Sequence, residues 1–248
     1  MTRTNDERAA IEIAAAAGEL LLEHRKSLGA NDVDAAAFKD AADRLSHDFI
    51  VAELARRFPT DAVLSEEGAD DLARLTSDRV WIVDPLDGTR EYGEAGRSDW
   101  AVHVALTENG FLTTGAVAMP ALGVTYASSD DRTERGATTP VRVVVSRTRR
   151  PEPVMRMADS MGAELIEMGS AGAKAMAVVS GDADIYAHAG GQYEWDSAAP
   201  VAVARAAGLH VSRIDGSELR YNQENPWLPD LLICRPELAP KALEELGR

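Results

Sequence analysis

The sequence predicts a layered α/β protein built in two parts. Two helix-period stretches open the chain, β-rich segments broken by turn residues follow, and the second half alternates short apolar strands with short helices. The polar stretch "SDDRTERGATTP" (129–140), which carries Gly and Pro, separates the two styles. It sets the expected division into an α+β part, residues 1–138, and an α/β part, residues 139–248.

Residues 6–28 repeat apolar side chains at helical spacing, and Gly29 is placed to stop that helix. Residues 36–57 form a second such stretch, closed near Pro59. "DAVLSEE" (61–67) reads as a short strand ending in two glutamates. "RVWIVD" (79–84) reads as a buried strand that turns at Pro85, because proline cannot extend a central ladder. Residues 99–128 read as a meander with breaks at Asn109-Gly110 and Pro120. Beyond the junction, strands over 141–146, 163–169 and 183–189 alternate with helices over 153–162, 170–181 and 196–208. Ser170 is the expected N-cap of the middle helix, and Gly181 and Gly208 lie just past two helix ends.

Composition excludes several function classes. Asp and Glu number 41 against 26 Lys and Arg, a formal charge of −15, and no basic run stands out, so no nucleic-acid partner is expected. Cys234, inside "LLIC", is the single cysteine, so no disulfide framework forms within one chain and a reducing, cytoplasmic setting is expected. The first residues lack the apolar core of a signal peptide, and no apolar run approaches the roughly 18 residues of a membrane span, so no membrane partner is expected.

Against this acidic background, "VDPLDGT" places Asp84 and Asp87 at the end of a buried strand. Two ionised carboxylates held together repel and raise each other's pKa unless a cation lies between them. Magnesium suits carboxylate and carbonyl oxygens and keeps water for a substrate phosphate. Gly88 allows close backbone approach, and its N–H and that of Thr89 are placed to meet phosphate oxygens. The competing reading is a solvated surface turn. Two further acidic ends favour the metal reading: "SEEG" offers Glu66 and Glu67, and "EWDSAA" puts Asp196 at a helix start, where it also suits a cap.

"DPLDGT" with the upstream "SEE" and the downstream "WDSAAP" resembles the signature set of the inositol monophosphatase superfamily of magnesium-dependent, lithium-sensitive phosphatases, over nearly the whole chain. "GSAGAKAMAV", "YAHAGGQYEWDSAAPVAVARAAG" and "GSELRYNQENPWLPDLLIC" narrow the resemblance to its actinobacterial-type 3′(2′),5′-bisphosphate nucleotidase branch. That branch hydrolyses 3′-phosphoadenosine 5′-phosphate, the nucleotide by-product of sulfate activation. The resemblance implies an α-β-α-β-α sandwich, two or three Mg²⁺ per site, a small-molecule nucleotide substrate and a homodimer. It implies that Glu66, Asp84, Asp87 and Asp196, with the Leu86 carbonyl, bind metal. It also implies that Thr89 orients the attacking water and that Asp43 partners Thr89. "KDAAD" lacks the threonine of the family's Val-Thr-x-Ala-Asp run, which leaves Asp40 as the competing choice.

For the rest of the substrate, Ser170 and the N–H groups at its helix start offer an anion site, and Lys174 lies one turn on. Arg220, Tyr221 and His188 are further candidates for the nucleotide end. Arg90 and Arg97 flank the active loop or pair with nearby acids such as Glu94 and Asp99. His103 and Cys234 are expected in the core, with Trp195 packing beside the metal site. Inositol monophosphatase or fructose-1,6-bisphosphatase activity is the alternative within the superfamily. Haloacid-dehalogenase-type chemistry is disfavoured because it needs two aspartates two apart, not three apart around a proline.

Overall fold

The computed structural model describes residues 4–27, 34–130 and 136–247. Gly29 and residues 131–135 of the expected junction lie outside the described residues. The chain runs α1 (Asn5–Arg25), α2 (Ala35–Arg57), β1 (Ala62–Ser65), β2 (Arg79–Asp87), α3 (Thr89–Tyr92), β3 (Ala101–Glu108), β4 (Phe111–Met119), β5 (Val124–Ala127), β6 (Arg142–Ser146), α4 (Glu152–Ser160), β7 (Glu164–Met168), α5 (Ala171–Ser180), β8 (Ile185–Tyr193), α6 (Glu194–Ala206), β9 (His210–Ser212), β10 (Trp227–Cys234) and α7 (Ala239–Leu246). No described helix is long and apolar enough to cross a membrane.

The strands form two five-stranded sheets, ordered β1-β2-β3-β4-β5 and β7-β6-β8-β10-β9. Both are buried on two faces, which is why β2, β3 and β10 read as nearly continuous apolar runs rather than as alternating ones. Side chains still alternate by face. Trp81 and Val83 of β2 pack with α1 and α2, whereas Val80 and Ile82 face α5 and α6. Beyond that central helix layer, Val144, Tyr186 and Ile233 of the second sheet join the same core. On its far side, Val143, Ile185 and Leu232 pack with α4 and α7. The result is an α-β-α-β-α sandwich whose central core is shared by both sheets.

Three elements depart from the sequence reading. The first helix ends at Arg25 rather than at residue 28. β2 does not stop at Pro85 but continues to Asp87: Asp84 pairs with His103 and Asp87 with Ala101, so Pro85 and Leu86 oppose a single residue. A bulge tolerates a proline because the extra residues leave the ladder. Their polar groups are met locally, with Ser46 Oγ donating to the Pro85 carbonyl (2.7 Å) and Leu86 N to Asp84 Oδ1 (3.1 Å). β8 likewise runs past residue 189 to Tyr193, with its own register shift against β10.

Candidate active site

The bulge in β2 presents two carboxylates on one side of the sheet end, and α6 brings the third. One oxygen from each of Asp84, Asp87 and Asp196 lies within 4.8 Å of the others. The α6 start at Glu194 puts Asp196 in the first turn, where its Oδ2 accepts from Tyr193 N (2.6 Å). The cap and cluster roles considered from sequence are therefore compatible. Glu66, just past the end of β1, is exposed as a residue, but its carboxyl comes close to Asp84. Burial, then the charge of Asp196, pushes Glu66 up to about 7. Burial and Asp87 push Asp196 up to about 6, and burial and Glu66 raise Asp84 well above the ordinary carboxylate range.

Asp87 behaves in the opposite way. Burial would raise its carboxyl, but His103 outweighs this, with help from Ser170 and Lys174, and holds it down at about 2. His103 Nε2 lies 3.2 Å from Asp87 Oδ2, and Nδ1 lies 3.0 Å from the Trp195 carbonyl. Burial disfavours the imidazolium, yet the carboxylate of Asp87 close beside it raises the pKa of His103. His103 is in the core, as its strand pattern suggested, but it also braces the cluster. The only sequence signal was one titratable residue inside "WAVHVAL".

The amino end of α5 also serves Asp87. Ser170 Oγ donates to Asp87, as do Ala171 N (3.0 Å) and Gly172 N (2.5 Å), while Ser170 Oγ accepts from Ala173 N. Ser170 lines the cavity as expected, while its hydroxyl and the N–H groups of Ala171 and Gly172 are engaged by the Asp87 carboxylate. The arrangement needs a bare Cα at Gly172, where a Cβ would lie 2.1 Å from His103 Nε2. Gly172→Ala is expected to destabilise the fold by about 1–3 kcal/mol and to lower kcat by displacing His103. A thermal melt and a turnover assay check it, and a native melting temperature with native kcat contradicts it.

Asp43 is buried on α2 with its carboxyl beside Thr89, whereas Asp40 is exposed. Burial, then Glu67 and Asp40, pushes Asp43 up to about 7. The Thr89 hydroxyl also lies 3.1 Å from the Leu86 carbonyl, the backbone oxygen expected to bind metal. Gly88 takes the left-handed conformation (φ 87°) that starts α3, and a Cβ there would lie 2.9 Å from Ser170 Cβ.

A cavity of about 380 Å³ opens over the cluster, and Gly88, Lys174 and His188 are among its lining residues. Lys174 is buried, with its ammonium held by the Gly169 and Ser170 carbonyls and placed 5.4 Å from the Tyr186 ring centroid. His188 Nε2 donates to the Gly191 carbonyl (2.8 Å). Arg220 and Tyr221 are not brought to this cavity. They line a separate one, and the Tyr221 hydroxyl is buried 3.1 Å from Ser197 Oγ. The reason is local: Glu194 accepts from Asn222 N and Gln223 N, and the buried Arg74 holds Asn222 and Gln223 from the other side. Arg97 pairs with Asp99, and Arg90 with Glu94. Arg149, not foreseen from sequence, lines the cavity and has no carboxylate partner among the described residues.

Oxygens from three clustered carboxylates, two of them buried and one half-buried, with the His103 ring beside them, fit a hard divalent cation. Metal-free, the folded state holds more protons on Asp43, Glu66 and Asp196 than the unfolded chain does from ordinary carboxylate pKa values up to about 7, and Asp84 is shifted in the same direction. Their contribution to stability is present below that window and is lost as pH rises through it. Added Mg²⁺ is therefore expected to raise Tm more at about pH 8 than at about pH 5.5. Equal shifts in scanning calorimetry contradict this.

The chain matches the profile of the Inositol monophosphatase family over residues 3–246. A 3′-phosphoadenosine 5′-phosphate phosphatase of Mycobacterium leprae (strain TN) is 50% identical, over 95% of this chain and 91% of its own length. The 3′(2′),5′-bisphosphate nucleotidase CysQ of Escherichia coli (strain K12) is 31% identical, over 76% of this chain and 81% of its own. The crystal structure of CysQ from Bacteroides thetaiotaomicron, a bacterial member of the inositol monophosphatase family, superposes with a TM-score of 0.78 at 30% identity, covering 92% of this chain and 96% of that one. Sequence and architecture agree from end to end, and the chain belongs to the inositol monophosphatase family.

Proposed function

We propose that this chain is a magnesium-dependent phosphoric monoester hydrolase that removes the 3′-phosphate of 3′-phosphoadenosine 5′-phosphate, releasing AMP and phosphate. The reaction class rests on one observation above all: the trio Asp84, Asp87 and Asp196, with Asp43 and Thr89 as neighbours nearby. The choice of substrate is supported by the 50% identity to the Mycobacterium leprae relative of that name. Glu66, Asp84, Asp87, Asp196 and the Leu86 carbonyl would hold two or three Mg²⁺, which supply charge neutralisation for the phosphate and acidify a bound water.

The remaining steps belong to the protein. The Thr89 hydroxyl has one proton and two acceptors, the Leu86 carbonyl and the Asp43 carboxyl. Directed to Asp43, it turns its lone pairs to the attacking water and orients it. Ionised Asp43 takes the proton that the water loses. Asp196, in the first turn of α6, would hold the ion that offsets the negative charge developing on the leaving ribose oxygen, which departs as the alcohol after taking a proton from solvent. Lys174, His188 and the exposed Arg149 supply the polar wall for the second phosphate. Lithium inhibition, a cytoplasmic role in sulfate assimilation and a homodimer belong to the same proposal and rest on the motif resemblance.

Phosphate release is measured with and without Mg²⁺ on 3′-phosphoadenosine 5′-phosphate, AMP, inositol 1-phosphate and fructose 1,6-bisphosphate, each with a lithium control. The expected result is Mg²⁺-dependent release from the bisphosphate nucleotide, with AMP left intact. A preference for the inositol or fructose ester overturns the nucleotide assignment and keeps the metal chemistry.

A further inference from the structure

We infer that Gln192, Trp227 and Tyr193 form the subsite that holds the purine base of the ligand, a subsite that rests on the nucleotide reading above and names its specificity residues. Three aromatic side chains are left well exposed among the described residues, Phe111, Tyr193 and Trp227, and the last two lie at the mouth of the cavity over the carboxylate cluster. Tyr193 is 46% exposed although it stacks on Trp195, with ring centroids 4.7 Å apart and planes 9° from parallel. Trp227 is 48% exposed, and its indole lies against the bare backbone of Gly191, where a Cβ would come within 2.6 Å of Nε1. Both rings are thus held in place while much of their surface stays open, the condition for stacking a flat ligand.

Gln192 is the second, independent observation. It is only 7% exposed and lines the same cavity, yet neither its Nε2 nor its Oε1 has a hydrogen-bond partner among the described residues. A buried amide unpaired at both ends is costly and uncommon. One donor beside one acceptor is the complement of an adenine edge, which offers an amino group next to a ring nitrogen. The antiparallel register sets Trp227 opposite Tyr193 and Leu228 opposite Gln192, so the ladder fixes the three positions together. Tyr193 N donates to Asp196, which ties the aromatic rim to the phosphate end of the cavity. A nucleotide with its phosphate at the carboxylates would therefore place its base against the rings and the amide. A sugar phosphate without a base leaves both unused.

Calorimetric titration of the full-length protein in Mg²⁺ with AMP and with ribose 5-phosphate, the same sugar phosphate lacking the base, tests this without turnover. AMP is expected to bind more tightly. Trp227→Ala and Gln192→Leu are each expected to cut that preference by about tenfold. Gln192→Glu, matched in size but unable to donate, is expected to lose as much as Gln192→Leu. The inference is overturned if wild-type protein binds both ligands equally, if the variants weaken both in proportion, or if Gln192→Glu keeps the full preference. If the bisphosphate nucleotide is not hydrolysed but the AMP preference behaves as described, the reaction assignment falls and the base subsite stands.

Discussion

Asp84→Asn is expected to lower kcat/KM by about 10³-fold or more and at the same time to stabilise the metal-free protein. Asp84 is buried, and its neighbours Glu66, Asp87 and Asp196 all raise its pKa, so its ionised form is unfavourable without a cation. Asparagine keeps an oxygen for the 3.1 Å bond from Leu86 N and removes the charge. Activity should therefore vanish while the melting temperature at about pH 8 without Mg²⁺ rises. The added stability given by Mg²⁺ should shrink, because the variant holds the ion less well. Lost activity with a lowered melting temperature would point to a damaged fold, and unchanged turnover would remove Asp84 from the site.

Asp43→Asn is expected to reduce kcat by about 10²–10³-fold with a much smaller change in KM, as is typical of a group that acts on the proton in flight. Thr89→Val should fall in the same range, and the double variant should lose little more than either single one, since the two residues act as a unit. The pH profile gives the sign. Asp43 works ionised, so kcat rises with pH along an acid limb and then levels. Burial and its acidic neighbours place the carboxyl at about 7, and a bound cation draws the limb lower. Asp43→Asn should erase that limb. A variant that raises KM alone, with the limb intact, would assign Asp43 to binding.

Much of the architecture was legible because it is written in short-range patterns. The apolar runs of β2 and β3 announce strands buried on both faces, and Asn109-Gly110 forms the hairpin turn with positive φ at both residues (51° and 79°). The β2 extension was not legible: Pro85 argues for a turn, and only pairing with β3 shows that a bulge absorbs it. The Gly-rich end of β8 misled for the same reason. The strand was expected to end at residue 189, before Gly190 and Gly191, which carry φ of 111° and 91°, yet β10 continues the ladder past them.

The kind of chemistry is encoded locally along the chain. Carboxylates at strand and helix ends, a proline between two of them and a Gly-Thr beyond are features of neighbouring residues, and neighbours in the chain remain neighbours in the fold. Tertiary structure alone decided which charge answers which. Asp87 accepts from Ser170, Ala171 and Gly172, 83 to 85 residues away, and His103 reaches it across the ladder. Those contacts make the amino end of α5 a clamp for a carboxylate. The 222–223 segment, tied to Glu194 and Arg74, carried Arg220 and Tyr221 to another cavity. The physical reason is that hydrogen bonding and burial satisfy each polar group with whatever the packed layers bring near it, and that choice depends on sheet register and helix docking, which no local spacing encodes.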